Sequence, residues 1–195
     1  NTVMNKLFRH WCGKTVAMGL CDQDGDHDID TCYKATTDVL NEWYNELAIH
    51  KVSLKGTVLK PNMVIAGSKC SKPASSEEIA KKTLDCLKKN VPSDVTGIAF
   101  LSGGQSEQEA TKNLDEINKI NDTNFLITFS YGRALQQSAL KTWAKEMKNT
   151  KAIHDVFNHR AKMNSLASKG EWSQGLEALS TSIVGVTIDW ACTDV

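Results

Sequence analysis

A lysine directly before a proline closes an apolar run in GTVLKPNMV, residues 56–64. Thr57, Val58 and Leu59 have the β-branched and apolar character of a buried strand. Pro61 biases Lys60 away from helix and towards extended backbone. Lys60 is therefore predicted at the C-terminal end of an interior strand. Desolvation at such a place disfavours the ammonium, and a neutral amine attacks a ketone to form a Schiff base. The iminium that results draws electrons from the neighbouring carbons, so a C–C bond beside it can break or form. A lysine snorkelling at a strand rim is the plainer alternative.

A second chemistry lies in SGGQSEQEA, residues 102–110. Gly103 and Gly104 fall between a predicted strand and a helix opened by the capping-box pair Ser106 and Glu109. With Ser102, their bare backbone N–H groups and the helix N-terminus make an anion site. Arg133, just past the next predicted strand, can clamp a phosphate with two hydrogen bonds. The plainer reading is a tight turn and a surface arginine. DQDGDHDID, residues 22–30, fails as a calcium loop: counted from Asp22, position 6 is His27 rather than Gly and position 12 is Tyr33 rather than Glu. Asp24, Asp26, His27 and Asp28 could still touch a metal. The favoured reading is an acidic turn entering a helix, where carboxylates suit the dipole. His10, His50, His154 and His159 form no partner pattern.

The elements that must hold these residues alternate. TVAMGL, 15–20, reads as a short strand, and residues 29–48 place Cys32, Thr36, Val39, Leu40, Trp43 and Leu47 at helical spacing. The strand ending at Lys60 follows. A Ser75/Glu78 capping pattern then opens a helix that buries Ile79, Leu84, Leu87 and Val91. TGIAFLS, 96–102, is a strand, and the helix after it buries Ala110, Leu114 and Ile117. FLITFSY, 125–131, is a fourth strand, and the helix from Gly132 turns Leu135, Ala139 and Trp143 to one side. A last helix, about 150–168, is expected to bury Ile153, Val156 and Phe157. STSIVGVTIDW, in the tail, reads as a strand or an extended arm.

Strand–helix alternation with near-continuous apolar strands indicates a parallel α/β sheet. No G-x-G-x-x-G follows a strand, which removes the dinucleotide-binding reading. A (β/α) barrel of TIM type puts chemistry at the C-terminal strand ends, and Lys60, Ser102 and Arg133 all lie at or just past such ends. Only four β/α units can be counted, whereas a full barrel needs roughly 250 residues and this chain has 195. The expectation is a partial barrel.

Composition narrows the function. The 23 basic and 23 acidic side chains balance, so nothing marks a nucleic-acid or membrane-surface protein, and no apolar run reaches membrane-span length. The six cysteines have no zinc spacing, and Cys32 and Cys86 fall on apolar helix faces, as reduced cysteines do. The first residues have too short an apolar stretch for a secretory signal. The expected location is cytoplasmic, where the Asn121-Asp122-Thr123 sequon goes unused.

Taken together and in order, GTVLKPNMV, VTGIAFLSGGQSEQEAT, TFSYGRALQQSALKTW and RAKMNSLASKGEW resemble class I fructose-1,6-bisphosphate aldolase, and DGDHDIDTCYKATTDVLNEWY resembles the segment before them. The likeness runs from about Asp24 to Trp172 and covers the C-terminal half of the family's barrel. On that basis the chain divides into an unmatched segment 1–20, a half-barrel 21–170 and a divergent tail 171–195. The resemblance implies that Lys60 is the Schiff-base lysine, that Ser102, Gly103 and Gly104 form the phosphate loop, and that Arg133 holds a substrate phosphate. It implies reversible cleavage of fructose 1,6-bisphosphate to dihydroxyacetone phosphate and glyceraldehyde 3-phosphate, with no metal and no organic cofactor.

The departures bear on activity. Val16-Ala17-Met18-Gly19-Leu20 stands where the family has an acidic Glu-Pro-Glu motif, and the family's N-terminal half and C-terminal tyrosine have no counterpart. Acid–base help is worth about 10²–10⁴-fold. Two functional readings stay open: a lyase complete through a homo-oligomer or a complementing half-barrel, and a catalytically impaired, aldolase-derived binding or structural protein, with a cytoskeletal filament as one partner the resemblance implies.

Overall fold

The computed structural model describes residues 15–18 and 25–179. Four parallel strands, β1 (Thr15–Met18), β2 (Val58–Pro61), β3 (Gly97–Phe100) and β4 (Leu126–Phe129), lie side by side in chain order. Helices α1 (Ile29–Ile49), α2 (Ser76–Asn90) and α3 (Glu107–Lys119) make the three crossovers. After β4 come α4 (Arg133–Lys145), α5 (Thr150–Ala167) and the short α6 (Gln174–Leu179). The sheet is the expected partial TIM-type barrel, with α1 packed on α2, α2 on α3, and α3 on α4 and α5.

The three crossover helices start where the sequence provides a cap. Asp28 accepts the Thr31 N–H at 2.7 Å and opens α1, which fulfils the acidic-turn reading. Ser75 accepts the Glu78 N–H at 3.2 Å. Ser106 and Glu109 form both halves of a capping box. The inward stripes of α1, α2 and α3 are those expected, including fully buried Cys32 and Cys86. Burial pushes the Cys86 thiol up.

The last long helix corrects the sequence reading. In α5, Ile153, Val156 and Phe157 are half-buried, and the fully buried positions are Arg160, Met163, Asn164 and Ala167. The inner side of α5 is partly polar because its partners are polar: Arg160 donates to Glu177 of α6 and to Thr111 of α3, and Asn164 accepts from Thr111 at 2.7 Å. On α4, Ala134 and Ala139 are buried and Leu135 packs against the core, while Trp143 is 48% exposed. In the tail, residues 174–179 are helical, and STSIVGVTIDW lies outside the described residues.

The sheet has two unlike faces. Leu59, Ile98 and Ile127, aligned across β2, β3 and β4, are buried beneath the helices. The alternate row of Val58, Gly97 and Leu126 faces the other way, and Val58 (38%) and Leu126 (75%) stand exposed. A period of two in the strand makes this division. Among the described residues nothing covers that second face.

Candidate functional site

Lys60 is the penultimate residue of β2 and is half-buried on the open face. Its register partner in β1 is Ala17. Because Leu59 aligns with Ile98, the next row runs through Ala99 of β3, and Ala99 aligns with Thr128 of β4. In its row Lys60 thus lies between Ala17 and Ala99, with Thr128 beyond Ala99, and such short neighbours leave room above the sheet for a small molecule. Behind it the chain is fixed. Residues 62–67 lack regular structure yet are buried. Two of their backbone N–H groups are engaged from other elements: Val64 N–H donates to Thr83 Oγ1 at 3.0 Å, and Gly67 N–H to the His27 carbonyl at 2.9 Å. A Cβ on Gly67 would sit 2.3 Å from the Gly25 carbonyl oxygen, so only glycine allows this close approach.

The loop after β3 is a tight turn. Gln105 N–H donates to the Ser102 carbonyl at 3.0 Å, and Gly103 and Gly104 have φ of +56° and +86°. Two consecutive positive φ values are those of a type I′ turn, which explains the paired glycines. Among the described residues no acceptor takes the N–H of either glycine. The Gln105 side chain locks the turn: its amide donates to the Ser102 carbonyl at 3.0 Å and its carbonyl accepts from Asn113 at 2.7 Å. The same amide nitrogen reaches the Met63 sulfur at 3.6 Å, tying the turn to the segment that follows Lys60. Gln105 and Asn113 were not singled out from the sequence. A buried amide on a helix face carries no periodic signal, and only their meeting in space marks them.

The starts of α3 and α4 differ in what their N–H groups meet. The N-terminus of α3 is satisfied by its own capping box and carries Glu107 and Glu109 in its first turn. Glu107 accepts the Ser138 N–H at 2.9 Å and its hydroxyl, joining α3 to α4. The start of α4 is the opposite case: its N-cap is Gly132 with no side-chain cap, its first turn has no acid, and its first residue is exposed Arg133. A cation at the positive end of a helix is unfavourable by itself and favourable with an anion between them. In (β/α) barrels, phosphates frequently bind at the loops after the last two strands; α4 follows β4 directly and begins at such a loop.

Lys60, the Ser102–Gly103–Gly104 turn and Arg133 therefore leave the same end of three adjacent strands, β2, β3 and β4. The ladder persists to that end, with Leu101 N–H on the Pro61 carbonyl at 3.0 Å and Ser130 N–H on the Phe100 carbonyl at 2.8 Å. This arrangement defines a (β/α) barrel-type protein with a lysine, a glycine turn and an arginine at its strand ends. A sequence profile of the family described as fructose-bisphosphate aldolase class-I matches residues 20–185, and the chain belongs to that family. It is similar to fructose-bisphosphate aldolase B of Sparus aurata, 50% identical over 76% of this chain and 41% of the relative. It is also similar to a probable fructose-bisphosphate aldolase class 1 of Xanthomonas campestris, 45% identical over 76% of this chain and 45% of the relative. A crystal structure of Plasmodium falciparum fructose-bisphosphate aldolase, in complex with TRAP and a small-molecule inhibitor, superposes with a TM-score of 0.76 at 41% identity. That match covers 78% of this chain and 44% of that one. The chain spans less than half the length of these relatives.

Proposed function

We propose that this chain carries the imine-forming half of a class I aldolase site, acting in reversible cleavage of fructose 1,6-bisphosphate to dihydroxyacetone phosphate and glyceraldehyde 3-phosphate. The Lys60 amine attacks the ketone carbon, water leaves, and the protonated imine accepts the electron pair of the C–C bond that breaks as the neighbouring hydroxyl loses its proton. Protonation of the enamine and hydrolysis then return the amine. The Ser102–Gly103–Gly104 turn and Arg133 hold the phosphate that fixes the ketone over Lys60. The observation that carries this reading is the row of small residues beside Lys60, opening onto the glycine turn and the uncapped start of α4. Borohydride trapping tests it: with dihydroxyacetone phosphate, reduction leaves a mass adduct on the peptide containing Lys60, and Lys60→Ala abolishes it. A folded protein without the adduct overturns the reading.

A second reading is a sugar-phosphate-binding protein of aldolase descent with impaired turnover, in the cytoplasm and with a cytoskeletal filament among its proposed partners. It is favoured by the open face, where no carboxylate stands among the described residues of β2, β3 and β4. Cleavage of fructose 1,6-bisphosphate at the rate of a complete aldolase removes this second reading. In either case the half-barrel 21–170, with Trp172 and α6 packed on it, is proposed to be completed by a homo-oligomer or a complementing half.

A further inference from the structure

We infer that Glu107 and Tyr131 are positioning residues for Arg133: they tie the segment that carries it to α3, and so set its place relative to the Ser102–Gly103–Gly104 turn. The inference rests on the phosphate-binding reading proposed above. It deepens that reading by naming what fixes the spacing of the two anion-binding parts. The start of α4 has little of its own to hold it. Its N-cap, Gly132, makes no side-chain cap hydrogen bond. Gly132 and Arg133 are both exposed, and a Cβ added to Gly132 would meet no atom within 4 Å. The Gly132 carbonyl accepts from Leu135 and Gln136 at 3.0 and 3.2 Å, bonds that shape the first turn without joining it to another element.

The anchors lie on either side of Arg133. On the near side, Tyr131 is 6% exposed, and its hydroxyl donates to the Ala110 carbonyl of α3 at 3.0 Å. Burial pushes its phenol up, so it stays a neutral donor. On the far side, about 7.5 Å along the helix from Arg133, Ser138 meets Glu107. Its N–H donates to one carboxylate oxygen at 2.9 Å and its hydroxyl donates to the other. Hydrogen bonds to an ionised acceptor are the stronger kind. Glu107 is the first residue of α3 and follows the glycine turn closely, with Gln105 locking the turn on the same segment. One short path of covalent and hydrogen bonds therefore joins the turn to the helix that begins at Arg133. A carboxylate repels a phosphate, and both oxygens of this one are engaged by Ser138. Glu107 thus acts through Arg133 and is not itself a phosphate ligand.

Calorimetric titration of the full chain with inorganic phosphate tests it, with circular dichroism as the check on folding. Glu107→Ala, Glu107→Gln and Tyr131→Phe are each measured with Arg133 present and in an Arg133→Ala background. With Arg133 present, Glu107→Ala and Tyr131→Phe should each raise the phosphate Kd by at least about threefold. In the Arg133→Ala background the same changes should leave it unaltered, because the group they position is gone. Glu107→Gln keeps an acceptor for the Ser138 N–H and an amide to meet its hydroxyl, and should restore most of the affinity that Glu107→Ala loses. A purely structural role would weaken phosphate binding equally in both backgrounds, and that result overturns the inference. Normal affinity in Glu107→Ala or Tyr131→Phe overturns it for that residue. Both outcomes leave the role of Arg133 standing. An Arg133→Ala protein that binds phosphate as the unaltered one does removes that role and this inference together. Because the probe has no ketone, each of these failures is distinct from failure of imine trapping.

Discussion

Replacing Glu177 by Gln removes one charge from the interior while keeping the shape and an acceptor. Glu177 and Arg160 are 7% and 6% exposed. Both carboxylate oxygens accept from the guanidinium, one of them at 3.2 Å, and Trp172 Nε1 donates to the carboxylate at 3.0 Å. Burial opposes ionisation of Glu177, yet the Arg160 and Trp172 hydrogen bonds outweigh it and hold its carboxyl below the usual range. Breaking one side of a buried ion pair leaves the other charge uncompensated and costs about 3–5 kcal/mol. For a domain of this size each kcal/mol moves the melting temperature by roughly 2–4 °C, so Glu177→Gln should lower it by roughly 6–20 °C in a circular dichroism melt. Adding Arg160→Met removes the stranded cation, and the double variant should be more stable than Glu177→Gln alone. A loss below about 1 kcal/mol for the single change, or a double variant no more stable than the single, would refute the claim that this pair anchors α5 and α6 to α3.

Other expectations follow from the same structure. Gly103→Ala places a side chain at φ +56°, costs about 1–2 kcal/mol, and should weaken binding of inorganic phosphate measured by calorimetry. Arg133→Ala should leave the melting temperature nearly unchanged, since the residue is exposed, and weaken phosphate binding by about tenfold or more, as expected for a charged hydrogen bond worth about 1.5–3 kcal/mol. The folded-state carboxyl of Glu177 is more acidic than the unfolded one. Its contribution is therefore present above the unfolded pKa and lost as pH falls through the folded one. His159, depressed chiefly by burial from 6.5, adds a loss that begins below that value. Urea midpoints should fall on acidification, and less steeply in Glu177→Gln. Cys86, buried with its thiol pushed up, should react with a thiol reagent far more slowly than half-exposed Cys70, by peptide mapping.

What the sequence disclosed was local chemistry and period. The Ser106/Glu109 box, the stripe of Ala110, Leu114 and Ile117, and the strand end at Lys60 depend on neighbours within a few residues, and each appears in the structure as read. The inner side of α5 did not, because its logic is long-range. Arg160 is interior only because Glu177 lies 17 residues on and Thr111 lies 49 residues back, and apolar Ile153, Val156 and Phe157 drew the prediction to the wrong side. A capping box marks a helix beginning and also uses up N–H groups there, as Ser106 and Glu109 do for α3, whereas the start of α4 at Gly132 and Arg133 has no side-chain cap and no such signal in the sequence. Gln105 was invisible until Asn113 and Met63 converged on it.

That clamp has a consequence for the thermodynamics of recognition. A loop that must order itself around a phosphate loses roughly 1–2 kcal/mol of backbone entropy per residue at the moment of binding. Here Gln105 holds the Ser102 carbonyl from both its main chain and its side chain, so the ordering of the two glycines is already spent on folding. Phosphate capture should then proceed with a small entropic penalty and little change in amide exchange around the turn. Cutting the clamp with Gln105→Ala would move that penalty from the folding step to the binding step.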